Sequence, residues 1–431
     1  MKKRLIALTM ALAMVFALGV NAVSADDAEK AEPVVAAPAT VATKETEETA
    51  ETSNEPAPDA EGTLSFANLR GRMLENYYPL LALEENIQTL EEWDYKRTED
   101  ELRDLLNETA NRQFGMIAGD ITGLGIGSMM AASLQPQYNA YRDAFDDVRD
   151  GKLQEDNEGV KRQLRNLQNQ TVIVAESLYI TRKGLEAQDA ALTRTIAALE
   201  RTEQEMTLRQ KMGQISALAL QQISAGRVQA QSGQATLRMN MDNILLQLKA
   251  MTATELDASL TLGELPKVTA QQLADMDLDA DLAKAKEVSY ALYDAKKTYD
   301  DAKADYNDAL KEYGTYSKKN EWMQAKHTWQ AAQYTYEDAK QSYELKFRML
   351  YAQVKDAAQI LEAKRVSLAS QEKSYKAAAL KYEQGSISAN ALKDAGDELA
   401  QGKDEVATAE RDLFTQYRSY CWAVEYGILN S

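Results

Sequence analysis

Groups able to carry out chemistry are few in this sequence. It contains one histidine, His327, and one cysteine, Cys421. A histidine-rich metal site within one chain is therefore excluded, a catalytic triad would depend on His327 alone, and no internal disulfide can form. The sequence has no phosphate-binding glycine loop, nucleophile motif or paired-ligand spacing, so its 67 acidic residues are expected to be solvated charge on helix surfaces. We predict no catalytic residue, no cofactor, no metal and no enzyme.

A nine-residue phrase occurs twice. Residues 212–220, MGQISALAL, return as residues 384–392, QGSISANAL, with a constant offset of 172 (385 − 213). Each copy follows a long helical pattern and opens another, which indicates a duplicated helix-turn-helix unit and a pseudo-symmetric architecture. Gly213 and Gly385 permit the backbone that a sharp turn needs, and Ser216 and Ser388 can cap the helices that follow. Such turns have either a purely structural role or a binding role, and both roles need the glycine.

The N-terminal residues are typical of an export signal. A cationic start (Lys2, Lys3, Arg4) precedes an apolar run over residues 5–20, and the small residues near Ala25 fit a cleavage site. The run is short for a membrane span, so residues 1–25 are predicted to be a cleaved signal peptide of an exported protein. Residues 26–62 hold four of the seven prolines and many Glu and Thr residues, so they are predicted to form a disordered acidic linker.

The rest of the chain is predicted to be all-α. Only three prolines follow residue 62, which favours long helices. The net charge of −18 and the pI near 4.8 argue against nucleic acid or anionic lipid as a main partner. We expect long antiparallel coiled-coil hairpins in two pseudo-repeats, residues 63–255 and 256–431. One helix should cover residues 64–110 with a kink at Pro79. Another should run from about 137 to 212 with weak interruptions at Gly151, Gly159 and Gly184, and a third should run from 322 to 384.

The second repeat has the clearer helical pattern. Large side chains at heptad spacing alternate with alanines on both sides of a polar segment at residues 317–321, and we expect a hairpin that packs aromatic residues against alanines. The large residues are Leu292, Tyr299, Tyr306, Tyr313, Trp322, Trp329, Tyr336 and Tyr343. In the first repeat, the glycine-rich residues 115–127 are compatible with a membrane-touching loop, a strand remnant or a turn, while a spanning helix is disfavoured.

Three segments together carry a family resemblance. The chain resembles the TolC-like outer-membrane efflux protein family in these segments. They are residues 382–388 (YEQGSIS) with Leu392 and the helix that follows, residues 209–216 (RQKMGQIS) and residues 64–69 (LSFANL). In that family the glycine phrase occurs once in each of two repeats, at the turn between two long helices. Leu74, Glu75, Asn76, Pro79 and Leu80 are similar to its opening helix. The resemblance covers residues 64–429.

The resemblance implies a homotrimer with a helical tunnel that works with a periplasmic adaptor and an inner-membrane transporter. It places the glycine turns at the inner end of the tunnel, where the adaptor docks. The docking residues would then be Gly213, Ile215, Ser216, Gly385, Ile387 and Ser388. Some family members narrow this end with acidic side chains six and nine positions after the second glycine. Here those positions hold Ala391 and Asp394, so Asp394 is a candidate pore constriction or an ordinary solvated charge.

The sequence departs from the family in its membrane part. Family members insert two strands between the long helices of each repeat, and a spanning strand needs about 9–11 residues. Residues 317–321 leave no room for such a pair, so we expect a TolC-like tunnel with little or no β-barrel. The favoured function is an export conduit component of the cell envelope, in an outer membrane or periplasm-like space. A non-conducting coiled-coil scaffold is the alternative, and contact with a membrane is left open.

Overall fold

The computed structural model of the protein describes residues 58–119, 125–313 and 320–429, which belong to one compact unit. The expected signal peptide, most of the expected linker and the centre of the predicted turn at 317–321 lie outside the described residues. Residues 58–62, which the sequence predicts to be part of the linker, are structured. Asp59 accepts hydrogen bonds from the Ser65 backbone nitrogen (3.0 Å) and from Asn68 Nδ2 (2.8 Å). These bonds attach the last linker residues to the first helix.

The described residues up to 255 contain one short strand and seven helices. They are β1 (Thr63–Leu64), α1 (Phe66–Asn76), α2 (Tyr78–Glu91), α3 (Tyr95–Ala118), α4 (Ile126–Ser133), α5 (Gln135–Arg149), α6 (Lys152–Lys211) and α7 (Ala217–Met251). The described residues from 256 onward contain a short strand and five helices. They are β2 (Thr261–Leu262), α8 (Ala270–Ala274), α9 (Leu278–Val288), α10 (Tyr290–Tyr313), α11 (Asn320–Glu383) and α12 (Ala389–Tyr426). The prediction of an all-α chain is confirmed.

Two helices dominate the structure. α6 has 60 residues and α11 has 64, which correspond to roughly 90 and 96 Å at ~1.5 Å per residue. α6 packs against α7, α11 packs against both α10 and α12, and α12 also packs against α6. The predicted helix from 322 to 384 is confirmed within two residues at each end. Within the described ranges, none of the helices combines the length and the apolar character needed to cross a bilayer.

The prediction of one helix over residues 64–110 is wrong. The chain breaks at Tyr77, which is extended (φ −83°, ψ 107°), because Pro79 lacks the N–H that would continue the helical ladder and its ring clashes with the preceding turn. A second break precedes α3, whose N-cap Asp94 accepts a hydrogen bond from the Arg97 backbone nitrogen at 2.9 Å. The helix expected from 137 to 212 is also divided, since Gly151 adopts a left-handed conformation (φ 80°) between α5 and α6.

The predicted hairpin of α10 and α11 is present, but its packing differs from the expectation. Tyr299 stacks on Tyr336 and Tyr306 stacks on Trp329, with ring centroids 5.9 and 5.0 Å apart. We expected aromatic residues to pack against alanines. The antiparallel register instead places the aromatic positions of the two helices opposite one another, and ring pairs at these distances attract beyond simple area burial.

Among the described residues, the core consists of two clusters that share one helix. The first joins α1, α2 and α6 around Leu69, Val172 and Tyr179, and the second joins α9 and α11 around Phe347 and Val354. α12 contributes to both, with Phe414 and Trp422 in the first cluster and Ala409, Leu413, Tyr420 and Ala423 in the second. Beside the first cluster, β1 and β2 form two parallel residue pairs, Thr63 with Thr261 and Leu64 with Leu262. The division of the chain into repeats at residue 255 stays a prediction.

Candidate functional site

The turn between α6 and α7 has a defined backbone. Gly213 is left-handed (φ 71°), and its N–H donates to the Gln210 carbonyl at 2.9 Å. The Gln214 N–H donates to the Arg209 carbonyl, also at 2.9 Å. This pair of bonds is the Schellman arrangement that closes a helix on a left-handed residue. Ser216 then caps α7 by accepting a hydrogen bond from the Ala219 backbone nitrogen at 3.2 Å.

The turn between α11 and α12 repeats this backbone bond for bond. Gly385 is left-handed (φ 70°) and its N–H donates to the Tyr382 carbonyl at 2.9 Å, while the Ser386 N–H donates to the Lys381 carbonyl at 2.8 Å. Ser388 caps α12 and accepts from the Ala391 backbone nitrogen at 3.1 Å. The predicted roles of the glycines as turn formers and of the serines as helix caps are confirmed. The sequence duplication is therefore a duplication of backbone geometry.

Both turns are open to solvent. A Cβ atom built on Gly213 or Gly385 would meet no heavy atom within 4 Å, so the left-handed backbone, and not crowding, requires glycine at these positions. Ser216 and Ser388 are exposed, whereas Ile215 and Ile387 are half-buried. The two turns thus present the same main-chain shape and the same exposed serine.

Ion pairs between α6 and α12 place the two turns at one end of the helices. Arg194 pairs with Asp404, and Arg201 pairs with Asp397. A step of seven residues toward the C-terminus of α6 (201 − 194) therefore matches a step of seven residues toward the N-terminus of α12 (404 − 397). The two helices are antiparallel in this region. Because Gly213 follows the end of α6 and Gly385 precedes the start of α12, the structure brings these sequence-predicted residues to the same end.

Asp394 lies one turn into α12 and faces solvent. Its side chain is 73% exposed, and its Oδ1 atom lies 4.0 Å from Arg201 Nη2. Arg201 also pairs with Asp397, so the guanidinium is shared between two carboxylates and offsets part of the Asp394 charge. Within one chain Asp394 is therefore an exposed, weakly paired carboxylate.

Two leucines near the turns were not among the residues predicted from the sequence. Leu208 and Leu380 lie five residues before the two glycines, are 60% and 58% exposed, and are related by the same offset of 172 (380 − 208). Exposed leucine on a helix surface is unremarkable singly. The signal in the sequence is that a leucine stands five residues before the glycine in both copies, just upstream of the repeated phrase.

The residues that could support other chemistry lie apart. His327 is exposed on α11, and Cys421 is half-buried on α12, where burial raises the pKa of its thiol. A raised pKa makes the thiol less reactive at neutral pH. In the portion of the chain that the structure describes, no group of three or more His, Cys, Asp or Glu side chains is arranged to hold a metal ion.

Comparisons with known proteins give structural resemblances only. No family model matches the chain, and no curated protein matches it. The outer-membrane channel OprN is 13% identical, with 84% of this chain and 90% of that chain covered and a TM-score of 0.49. The outer membrane protein VceC of Vibrio cholerae is 9% identical (84% and 95% covered, TM-score 0.45). The open state of the MtrE outer membrane channel of Neisseria gonorrhoeae is 13% identical (89% and 96% covered, TM-score 0.45).

Proposed function

We propose that this protein is a TolC-like export conduit component of the cell envelope, not an enzyme, and that the end carrying the two glycine turns docks a partner. One observation carries the proposal: two turns with the same hydrogen bonds, the same serine cap and the same flanking leucine lie at one end of antiparallel helices. A turn that only reverses the chain needs the glycine and the cap. It does not need an exposed leucine at the same position in both copies.

The docking partner in this proposal is a periplasmic adaptor linked to an inner-membrane transporter. The residues of the proposed contact are Gly213, Ile215, Ser216, Gly385, Ile387 and Ser388, to which we add Leu208 and Leu380. Exposed apolar side chains beside a rigid polar backbone fit a small, specific protein contact, since an apolar centre with a polar rim is the usual interface anatomy. The turns are held by their own hydrogen bonds and so need little ordering on binding.

The conduit itself requires several chains, and we propose a homotrimer. In a trimer each chain would supply its two helical hairpins to a closed ring, and the exposed Asp394 side chains would form a ring of three carboxylates near the docking end. Such a ring favours cations over anions. Replacing Asp394 with Asn should then reduce cation selectivity of the assembled conduit without changing its mass. Unchanged selectivity would remove Asp394 from the pore and leave it as a solvated charge.

The test combines assembly with docking. We expect mass determination of the purified protein to give three chains and low-resolution images to show a ring with an open centre. A strictly monomeric protein would end the conduit proposal. A multi-chain bundle with a filled centre would favour the coiled-coil scaffold, because a scaffold needs only a dry contact between helices.

Docking is tested with matched variants. Leu208→Gln combined with Leu380→Gln should weaken binding of the candidate adaptor at least ten-fold. Leu345→Gln combined with Met349→Gln is the control, because these residues are exposed on α11 far from both turns. Equal binding by the two double variants would count against docking at the turns. Crosslinking of the adaptor from Ser216→Cys and Ser388→Cys chains, each with Cys421→Ser, would show whether both turns reach it.

A further inference from the structure

A group of large apolar side chains is exposed where α3 ends and α4 lies. We call this group the apolar tip. Each of its members has between 51% and 75% of its surface exposed, and they are Phe114, Ile117, Ile126, Met129 and Met130. Large apolar residues that face water singly are ordinary, but five of them on two neighbouring helix ends form a patch that marks a binding surface.

The orientation of α4 is the reverse of that expected for a helix in water. Its small residues Gly127 and Ala131 are buried against α3, while Ile126, Met129 and Met130 point outward. The Gln113 side chain holds this arrangement by donating from Nε2 to the Ala131 carbonyl at 3.2 Å. A surface helix normally turns its apolar side toward the core. Here the close packing uses the small side chains and leaves the large ones available to a different environment.

The amino-acid composition around the apolar tip indicates which environment its large side chains face. Residues 113–141 contain one charged residue, Asp120, in a chain that is 27% charged. Half-buried tyrosines at 138 and 141 follow on α5, as aromatic side chains do at the boundary between lipid and water. A face for a soluble protein partner would carry a rim of charged and polar groups. The described residues 113–119 and 125–141 contain no charged side chain. Together with the exposed Ile, Met and Phe side chains, this fits contact with the hydrocarbon of a lipid bilayer.

The tip lies on the side of the molecule away from the glycine turns. Asn157 Nδ2 donates to the Tyr95 hydroxyl at 3.0 Å, which places the start of α3 beside the start of α6. α3 and α5 then run alongside each other, with the tip beyond them. Gly213 follows the opposite end of α6. A bilayer at the tip therefore leaves both turns free on the far side.

We propose that the apolar tip inserts into the surface of a lipid bilayer and anchors this end of the protein through helix ends. The proposal goes beyond the conduit, because a scaffold would use the same anchor. The contact is apolar and not electrostatic, since a chain with a net charge of −18 is repelled by anionic headgroups. Binding should therefore occur on neutral lipid, gain nothing from anionic lipid and depend little on salt.

The experiment is flotation of the full chain with phosphatidylcholine vesicles. Ile117→Gln, Met129→Gln and Met130→Gln, combined in one variant, should lower the vesicle-bound fraction at least ten-fold. The control carries Leu345→Gln, Met349→Gln and Val366→Gln, three exposed apolar residues of α11, and should float like the unaltered chain. All three proteins keep the same N-terminus, so the apolar run of residues 5–20 cannot account for a difference between them. Circular dichroism checks that helicity is retained.

A second measurement does not depend on that variant. In Phe114→Trp, the added indole should be quenched several-fold more by lipids brominated on their acyl chains than by lipids without bromine. Equal flotation of the tip variant and the control variant would overturn the proposal, as would failure of the unaltered chain to float. Binding that appears only with anionic lipid and disappears in high salt would also overturn it. None of these results bears on adaptor docking, which is measured without vesicles.

Discussion

The two ends of α12 use the same backbone device in opposite surroundings. Gly385, before its start, and Gly427, after its end, are both left-handed (φ 70° and 66°), and each is followed by a residue that closes the turn with a bond back to a helical carbonyl. A Cβ atom on Gly385 would meet nothing within 4 Å, whereas one on Gly427 would lie 2.5 Å from the Ser289 backbone nitrogen. One end is packed firmly against the rest of the chain, and the other is kept accessible.

The packed end contains an ion pair between α6 and α12, in which Glu176 is buried and Arg418 is half-buried. Arg418 donates to both carboxylate oxygens of Glu176 at 2.7 and 2.8 Å, and Trp422 Nε1 donates to the same carboxylate at 2.8 Å. Burial alone would lower the pKa of Arg418, but the hydrogen bonds and charge of Glu176 raise it above its ordinary value. Rigidity is therefore concentrated where α6 meets the C-terminal half of α12, whereas the two glycine turns are closed by local hydrogen bonds.

The largest effect should come from breaking the ion pair of Glu176 with Arg418. Glu176→Ala leaves Arg418 and Trp422 without their acceptor, and we expect the free energy of unfolding in urea to fall by about 3–5 kcal/mol. Arg201→Ala, which removes an ion pair near the open end, should cost at most about 1 kcal/mol. Similar losses in the two variants would contradict the division into a packed and an open end.

The two glycines of α12 give the most direct test of the comparison. Gly427→Ala combines left-handed strain with a clash against Ser289, so it should lower stability by roughly 3 kcal/mol. Gly385→Ala carries only the strain of about 1–2 kcal/mol, because space is free around it. Thermal unfolding followed by circular dichroism measures both. Equal costs would mean that the crowding at Gly427 relaxes without penalty.

Acid should weaken the contacts that Asp59 makes at the packed end. Burial raises the pKa of Asp59, but hydrogen bonds from Ser65 and Asn68 and the charge of Arg72 outweigh it and hold the pKa below the ordinary value of 3.8. A depressed folded-state pKa stabilises the protein above the unfolded-state value, and this contribution disappears as pH falls through the folded-state value. Asp59→Asn should therefore lower stability by about 1–3 kcal/mol at pH 7.

The pH dependence of that difference is the check. Urea titrations from pH 7 to pH 2.5 should show the gap between the unaltered chain and Asp59→Asn narrowing below pH 4. A gap that stays constant to pH 2.5 would exclude ionisation of Asp59 as its source.

The smallest effects should come from the serine caps at the open end. Ser216→Ala and Ser388→Ala each remove one hydrogen bond to a helix N-terminus, at a cost of about 0.5–2 kcal/mol. Because the two turns share one geometry, the two losses should agree within about 0.5 kcal/mol. Thr substitutions at the same positions serve as controls, since they keep the cap. A large loss at only one serine would show that the turns are not equivalent.

The parts of this structure that follow from local rules were predictable from the sequence. The length of α11, the hairpin of α10 and α11 and both glycine turns depend on heptad spacing, the absence of proline and a short repeated phrase. The breaks at Tyr77 and Gly151 were misjudged because one proline or glycine can be tolerated inside a helix or can end it, and packing decides which. Stacking of Tyr306 on Trp329 depends on interhelical register, which spacing along one helix does not specify.

The contacts between distant segments could not be predicted. Nothing local to Glu176 indicates that Arg418 is its partner, and an acidic residue in a helix is usually solvated. The end at which the two turns lie together depends on the antiparallel pairing of α6 and α12. This pairing is marked by ion pairs between the two helices, such as Arg194 with Asp404. A single sequence does not show which charged residues are partners.

The separation of Glu176 and Arg418 along the chain, 242 residues, orders the events of folding. The hairpins of α6 with α7 and of α11 with α12 close loops of a few residues at their glycine turns, so they can form early and independently. The Glu176 carboxylate can bind Arg418 only after α12 has formed and docked on α6. Both hairpins can therefore be complete while Glu176 on α6 still lacks its partners Arg418 and Trp422. Docking of the two hairpins on each other is therefore expected to be the slow step of folding, and Glu176 variants should alter its rate while leaving hairpin formation unchanged.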